Sequence, residues 1–183
     1  MRHIEATLIE SFLLLNRFFQ EHNIRYCLIG GIAAGFWSEP RYTQDMDFTV
    51  VSKNKSILPL TKLLQKEGFQ VKKQGNSQCQ ITQKGSLQFQ ADLILAETNY
   101  QDWVVARALE IELFDSKTYI CSAEDIIILK LIAHRRQDLL DIENVLKKNA
   151  SMLDQAYLKK WITHWKLQKL FQKEFSDIFE LSF

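Results

Sequence analysis

The chain has 183 residues, 46% of them hydrophobic and 25% charged, with a formal net charge of +1. That length suits one domain or a compact two-lobed unit with a true core, and the charge balance neither demands nor excludes a nucleic-acid partner. No apolar run reaches membrane-spanning length, so no membrane partner is expected. Cys27, Cys79 and Cys121 are widely spaced without a C-x-x-C, and His3, His22, His134 and His164 show no zinc spacing. This pattern fits reduced thiols in a cytoplasmic protein and excludes a disulfide scaffold or zinc module. The N-terminus lacks a basic region followed by an apolar block and cleavage site, so no signal peptide is expected.

Apolar positions Ile4, Leu8, Phe12, Leu15, Phe18 and Phe19 recur at helical spacing and predict a helix over residues 4–21. Residues 25–29 read as a short buried strand, broken by Gly30-Gly31. A short helix follows from Ile32 and stops at Pro40. Residues 46–51 are a β-rich strand, and Ser56–Glu67 an amphipathic helix ended by Gly68. Strands are expected at 69–73, 78–83 and 87–95, with turns at Gly75-Asn76 and Lys84-Gly85. Asn99–Ala106 suits a short helix, and 108–113 and 117–121 two more strands. At Ser122 the pattern changes, with a capping serine followed by Glu124 and Asp125 in the first turn. Helical periodicity then continues almost to the end, with breaks near 135–138 and 148–151. The expected organisation is an α/β lobe, 1–121, followed by a helical lobe, 122–183.

Three places in this outline carry chemistry. Asp45 and Asp47 stand one residue apart at the start of a strand, so their side chains share a face. Two carboxylates held together repel unless a cation neutralises them. Mg²⁺ does so naturally, because it takes one or two carboxylates together with phosphate oxygens. A Gly-Gly turn opening a helix offers backbone N–H groups and a positive dipole end to phosphate. By itself a D-x-D occurs often by chance; Gly30-Gly31 before it, with Arg41 and Thr43 between, gives it weight. Asp92 is the second place, an aspartate inside the apolar strand segment Phe89–Leu95. Strands deplete aspartate, so it marks either an edge position or a third carboxylate that ligates metal or takes a proton from an attacking hydroxyl. The third is Lys130, flanked by apolar residues in a helix and followed by Arg135, Arg136, Asp138 and Asp141. This lysine either snorkels to solvent or meets a nucleotide phosphate. The charges after it suit ordinary helix-surface pairing as well.

Gly30-Gly31, Thr43-x-Asp45-x-Asp47 and the strand Asp92 together resemble the nucleotidyltransferase superfamily with the polymerase-beta-like fold. The later segment, Glu124-Asp125 with Lys130-Leu131-Ile132-Ala133 and Arg136-x-Asp138-x-x-Asp141, is similar to AbiEii-type toxins and the small bacterial nucleotidyltransferases grouped with them. The resemblance spans residues 24–147 and omits the aromatic helices that carry Trp161, Trp165, Phe171, Phe175 and Phe179. The fold it implies is α/β (α+β), a mixed-sheet nucleotidyltransferase core followed by a helical C-terminal lobe. The activity it implies is Mg²⁺-dependent transfer of an NMP from ATP or another NTP to a hydroxyl, with two metal ions. In that scheme Asp45 and Asp47 hold Mg²⁺, and Asp92 completes the carboxylate set. Gly30 and Gly31 cradle the triphosphate, Lys130 contacts phosphate, and Arg41 and Thr43 reach the nucleotide. Arg136, Asp138 and Asp141 support the site by orienting its basic groups or the acceptor.

The acceptor stays open among a tRNA end, a protein hydroxyl and an antibiotic. A toxin would come with an antitoxin. Lys72-Lys73, Arg135-Arg136 and Lys159-Lys160 keep RNA in play. The alternative class is a catalytically weak nucleotide-binding or partner-binding module on the same fold. Three retained carboxylates argue against it.

Overall fold

A computed structural model describes residues 2–41, 43, 45–83 and 90–183. The chain divides into two compact units. One comprises Met1–Gly31 and Tyr42–Cys121; the other comprises Ile32–Arg41 and Ser122–Phe183.

Among the described residues, the first unit is built on a seven-stranded mixed sheet. Its strands are β1 (Arg25–Ile29), β2 (Asp45–Val51), β3 (Phe69–Lys73), β4 (Gln78–Gln83), β5 (Gln90–Leu95), β6 (Leu109–Leu113) and β7 (Ser116–Ile120). The order across the sheet is β3-β4-β5-β2-β1-β7-β6. Pairs β2–β5 and β1–β7 run parallel, and the others run antiparallel. Helices α1 (Arg2–Glu21), α3 (Leu58–Lys66) and α4 (Asn99–Ala106) complete this unit, and α2 (Gly30–Trp37) begins in it.

Each element follows from its residues. Phe12, Leu15, Phe18 and Phe19 form the buried stripe of α1, as the periodicity requires. Phe19 stacks on Tyr26 of β1 at 4.4 Å and meets Phe48 of β2 edge-on at 5.2 Å, which fixes the helix to the sheet. One buried polar residue on that helix is also satisfied. Asn16 donates to Ser116 Oγ and to the Lys117 carbonyl, both at 2.8 Å, and accepts from the Tyr26 hydroxyl. Helix α4 starts at a capping box in which Thr98 accepts from the Gln101 amide.

Alternation on the two central strands decides which residues face the core. In β2, Met46, Phe48 and Val50 are fully buried, while Asp45 and Asp47 are half-buried. In β5, Ala91, Leu93 and Leu95 are buried and Asp92 is half-buried. The expected strands 46–51 and 87–95 are thus present over Asp45–Val51 and Gln90–Leu95, residues 87–89 lying outside the described residues. The expected Lys84-Gly85 turn lies outside the described residues. Cys27, Cys79 and Cys121 are buried thiols. No helix among the described residues is long and apolar enough to cross a membrane.

The second unit is helical: the body of α2, then α5 (Ala123–Ala133), α6 (Arg136–Asn149), α7 (Gln155–His164) and α8 (Gln168–Phe175). Ser122 caps α5 by accepting the Asp125 amide at 3.1 Å. The break expected near 135–138 is made by His134, which ends α5 in the left-handed region at φ 50°. Ile127, Leu131, Ile142, Val145, Leu158, Ile162 and Phe171 form its core. Asp125, wholly buried, accepts the Tyr157 hydroxyl at 2.7 Å, and Glu124 accepts the Asp154 amide at 2.9 Å, so α7 is held to the start of α5.

Candidate active site

Register brings the expected carboxylates together. Strands β2 and β5 pair in parallel with Asp47 opposite Asp92 and Asp45 opposite Gln90. Partners in a parallel ladder point to the same face, and residues two apart share it. Asp45, Asp47 and Asp92 therefore occupy one half-buried face, with the buried apolar residues of both strands on the other. On the next strand Gln80 lies opposite Asp92 and donates to its Oδ1 at 3.3 Å. Burial pushes the Asp92 carboxyl above its ordinary value; the Gln80 hydrogen bond opposes this, and the charge of Asp45 adds to it. A carboxylate in that state favours the arrival of positive charge. Asp92 also acts on its other neighbour. Burial, with the Asp92 charge second, holds the Cys79 thiol up at about 11, so this cysteine is no nucleophile.

The glycine turn is fitted to the same face. Strand β1 pairs Ile29 with Asp47, and Gly30 follows at φ +68°. A Cβ at Gly30 would lie 2.6 Å from the Asp47 Cγ and 2.8 Å from its Cβ, and nearer still to Oδ2. Both the left-handed backbone and the missing side chain are required there. Gly31 is buried at the start of α2, where the first-turn backbone N–H groups are not bonded within the helix. Thr43 donates its hydroxyl to the Asp45 carbonyl at 3.3 Å.

As metal ligands, the three carboxylates supply only oxygen, the donor that Mg²⁺ requires. Among the described residues no three His, Cys, Asp or Glu groups converge into a ready-made metal cage. A Mg²⁺ ion needs no such cage, because it is bound by one or two carboxylates plus phosphate oxygens and water. The residues fit a metal that arrives with its nucleotide.

The remaining expected site residues belong to the second unit. Lys130 is buried, and its ammonium lies 3.0 Å from Asp138 and 2.7 Å from Asp141. Arg41 donates from Nε and Nη2 to the two oxygens of Asp141, each at 2.9 Å, a bidentate pair. Gln137 donates to Asp141 at 3.1 Å. Asp138 accepts the Arg135 amide at 3.1 Å, which caps α6, and its guanidinium at 2.7 Å. Burial pushes Asp138 and Asp141 up. The hydrogen bonds from Arg135 and Lys130 to the first, and from Arg41, Lys130 and Gln137 to the second, outweigh it, so both carboxyls sit below their ordinary value. Arg136 is exposed in the first turn of α6. The structure thus gathers Asp45, Asp47, Asp92 and Gly30 in one unit, and Arg41, Lys130, Asp138 and Asp141 in the other. Sequence reasoning missed Gln80, whose only signal is its register, and it missed the bond from Arg41 to Asp141.

The sequence profile described as "Nucleotidyltransferase of unknown function (DUF6036)" matches residues 6–178. The chain belongs to this nucleotidyltransferase family. The match runs through the aromatic C-terminal helices, which the resemblance over residues 24–147 left out. No curated protein matches the chain. Several solved structures share its fold. The solution structure of the antibiotic-resistance factor ANT(2'')-Ia aligns with a TM-score of 0.59 at 14% identity, covering 94% of this chain and 97% of that one. An antigenic nucleotidyltransferase-like protein from Paracoccidioides brasiliensis aligns with a TM-score of 0.55 at 20% identity, covering 93% and 91%. The lincomycin-bound lincosamide antibiotic adenylyltransferase LnuA aligns with a TM-score of 0.52 at 16% identity, covering 74% and 94%.

Proposed function

We propose that this nucleotidyltransferase moves an NMP from an NTP to a hydroxyl acceptor with Mg²⁺, releasing pyrophosphate. The observation that carries the reading is the pairing of Asp47 with Asp92 on the face where Gly30 gives up its Cβ to the Asp47 carboxylate. Asp45 and Asp47 would hold the metal, and Asp92 would complete the set. When bound, a two-ion centre neutralises the attacking and leaving oxygens of an in-line displacement. The chain's own part is positioning. Gly30 and Gly31 offer amides to the triphosphate at the start of α2, and the wall of β2 and β5 sets the carboxylates. Thr43, two residues before Asp45, is the nearest further candidate for a nucleotide contact.

The acceptor is a hydroxyl of a small molecule, an RNA end or a protein. Small molecules come first in the assay, since one neighbour of the fold is by name a lincosamide antibiotic adenylyltransferase and another an antibiotic-resistance factor, both matching over nearly their whole length. The AbiEii-type reading rests on the Glu124–Ile142 segment. With an RNA or protein acceptor, expression of the intact protein, but not Asp47→Ala, would slow growth, and an antitoxin would relieve it.

The deciding experiment incubates the protein with each radiolabelled NTP, Mg²⁺ and a mixture of aminoglycosides, lincosamides, total RNA and protein extract. Label moving to one acceptor with the intact chain alone establishes transfer and names both substrates. Label moving equally with Asp47→Ala overturns the site. One observation favours the second reading, a binding module of weak activity: the cations that the motif offers to phosphate, Arg41 and Lys130, both face Asp141. Metal-dependent NTP binding without transfer to any acceptor supports that reading.

A further inference from the structure

Helix α6 grips the end of α2 and the segment after it at three successive points. Asn149 donates to the Trp37 carbonyl at 2.6 Å, and Lys148 donates to the Ser38 carbonyl at 2.6 Å. Asp141 receives the Arg41 fork. The segment is also folded onto its own helix. Ser38 donates to the Ala34 carbonyl at 2.7 Å, and a Cβ at Gly35 would sit 3.5 Å from the Pro40 Cα, at ordinary contact. This stretch is the covalent link between the Gly30-Gly31 turn and the strand that opens with Asp45.

Of the three grips, the one at Asp141 depends on a buried charge. Asp141 is 3% exposed and Lys130 6%. A carboxylate so buried stays ionised only with cations against it. Arg41 supplies one, and Lys130 supplies the other while also neutralising Asp138. The Lys130 ammonium has three protons to donate, and Asp138 and Asp141, three residues apart along α6, both lie within reach of it.

We infer that Lys130 is a positioning residue rather than a phosphate ligand: its charge balances the adjacent Asp138 and Asp141, so that Asp141 stays ionised and holds the Arg41 fork, and α6 thereby fixes the segment that joins the glycine turn to the carboxylate strand. The assignment rests on the transferase reading for its effect on nucleotide use; the mechanical part stands without it.

The test uses the full chain and compares Lys130→Met with the double variant Lys130→Met/Asp138→Asn, which removes one charge of each sign. Hydrogen exchange is read at the amides of Trp37, Ser38, Glu39 and Arg41, and Mg²⁺–ATP affinity by calorimetry. Exchange at these amides should rise by about tenfold or more in the single variant, and return to within about threefold of the parent in the double variant. ATP affinity should fall and recover in step with it. A phosphate ligand behaves otherwise: both variants would then bind ATP equally weakly, with exchange unmoved, and that outcome overturns the inference. Should the single variant fail to fold, the double variant against the parent decides the matter. Full protection and affinity uphold positioning, while lost affinity with intact protection overturns it. If the parent binds no NTP with Mg²⁺, the transferase reading fails, and the exchange data alone judge the role of Lys130.

Discussion

Two groups of aspartates, each legible as a motif, have opposite electrostatic character in the folded chain. Asp92 is pushed up by burial and by Asp45. Asp138 and Asp141 are more deeply buried by exposure, yet end below the ordinary carboxylate value, because Lys130, Arg135, Arg41 and Gln137 donate to them. Burial raises a carboxyl pKa in both places. What differs is the opposing donor: at Asp92 it is the neutral amide of Gln80, and at Asp138 and Asp141 it includes the cations Arg135, Lys130 and Arg41. A carboxyl raised by burial is the pattern of ligand sites, and one met by cations of its own chain is the pattern of structural networks. A D-x-D and a D-x-x-D look equally chemical on paper.

That contrast can be broken in four ways. Replacing Asp47 with Ala should lower nucleotidyl transfer by about 10³-fold or more, with an unchanged unfolding midpoint; measurable turnover near the parent rate would place the chemistry elsewhere. Lys130→Met acts on stability instead. It leaves two buried carboxylates short of a cation and should cost about 3–5 kcal/mol in denaturant unfolding. Saturating Mg²⁺ with a non-hydrolysable NTP should stabilise the parent by about 2.7 kcal/mol at a hundredfold excess over its dissociation constant. The same addition should do nothing for Asp45→Asn/Asp47→Asn, and an equal shift in that variant would remove the pair from the metal site. Asp92→Asn, the gentlest change, should leave stability unchanged or raise it by about 1 kcal/mol, because it relieves the repulsion from Asp45; Asp141→Asn should lower it. Loss of stability in both would erase the distinction.

Acid sharpens the same contrast. Asp138 and Asp141 have folded-state pKa values below those of the unfolded chain. Such groups contribute stability that is fully present above the unfolded value, near pH 4, and lost as pH falls through the folded value. Thermal unfolding should therefore show the midpoint dropping steeply below about pH 4, and Asp138→Asn/Asp141→Asn should flatten that drop.

Much of the architecture was legible because it is written locally. Strand β1 occupies the expected residues 25–29, α4 the expected 99–106, and Ser122 caps α5 as its sequence suggests. Asp92 was legible as an anomaly, a polar residue in an apolar strand, and register explains it. The strand order was not legible. Nothing in β2 states that it takes β5 as a parallel neighbour rather than the nearer β3, since that choice is made by tertiary packing. The Arg41–Asp141 bond was illegible for the same reason: 100 residues separate the partners, and each reads more simply as a ligand or a helix-surface charge. Residues 32–41 group with the later helices for reasons of packing, which no composition shift announces.

The parallel pairing of β2 with β5 also sets when the carboxylate face can exist. Asp47 and Asp92 meet only after the chain has gone through α3, β3 and β4, and β1 acquires its other neighbour only with β7. During synthesis a nascent chain that ends before β5 holds two of the three aspartates on a strand that has β1 on one side and nothing of β5 on the other. Pairings over such sequence distances close late and slowly. A transferase that works from this face would be silent in every incomplete form of the chain that ends before β5.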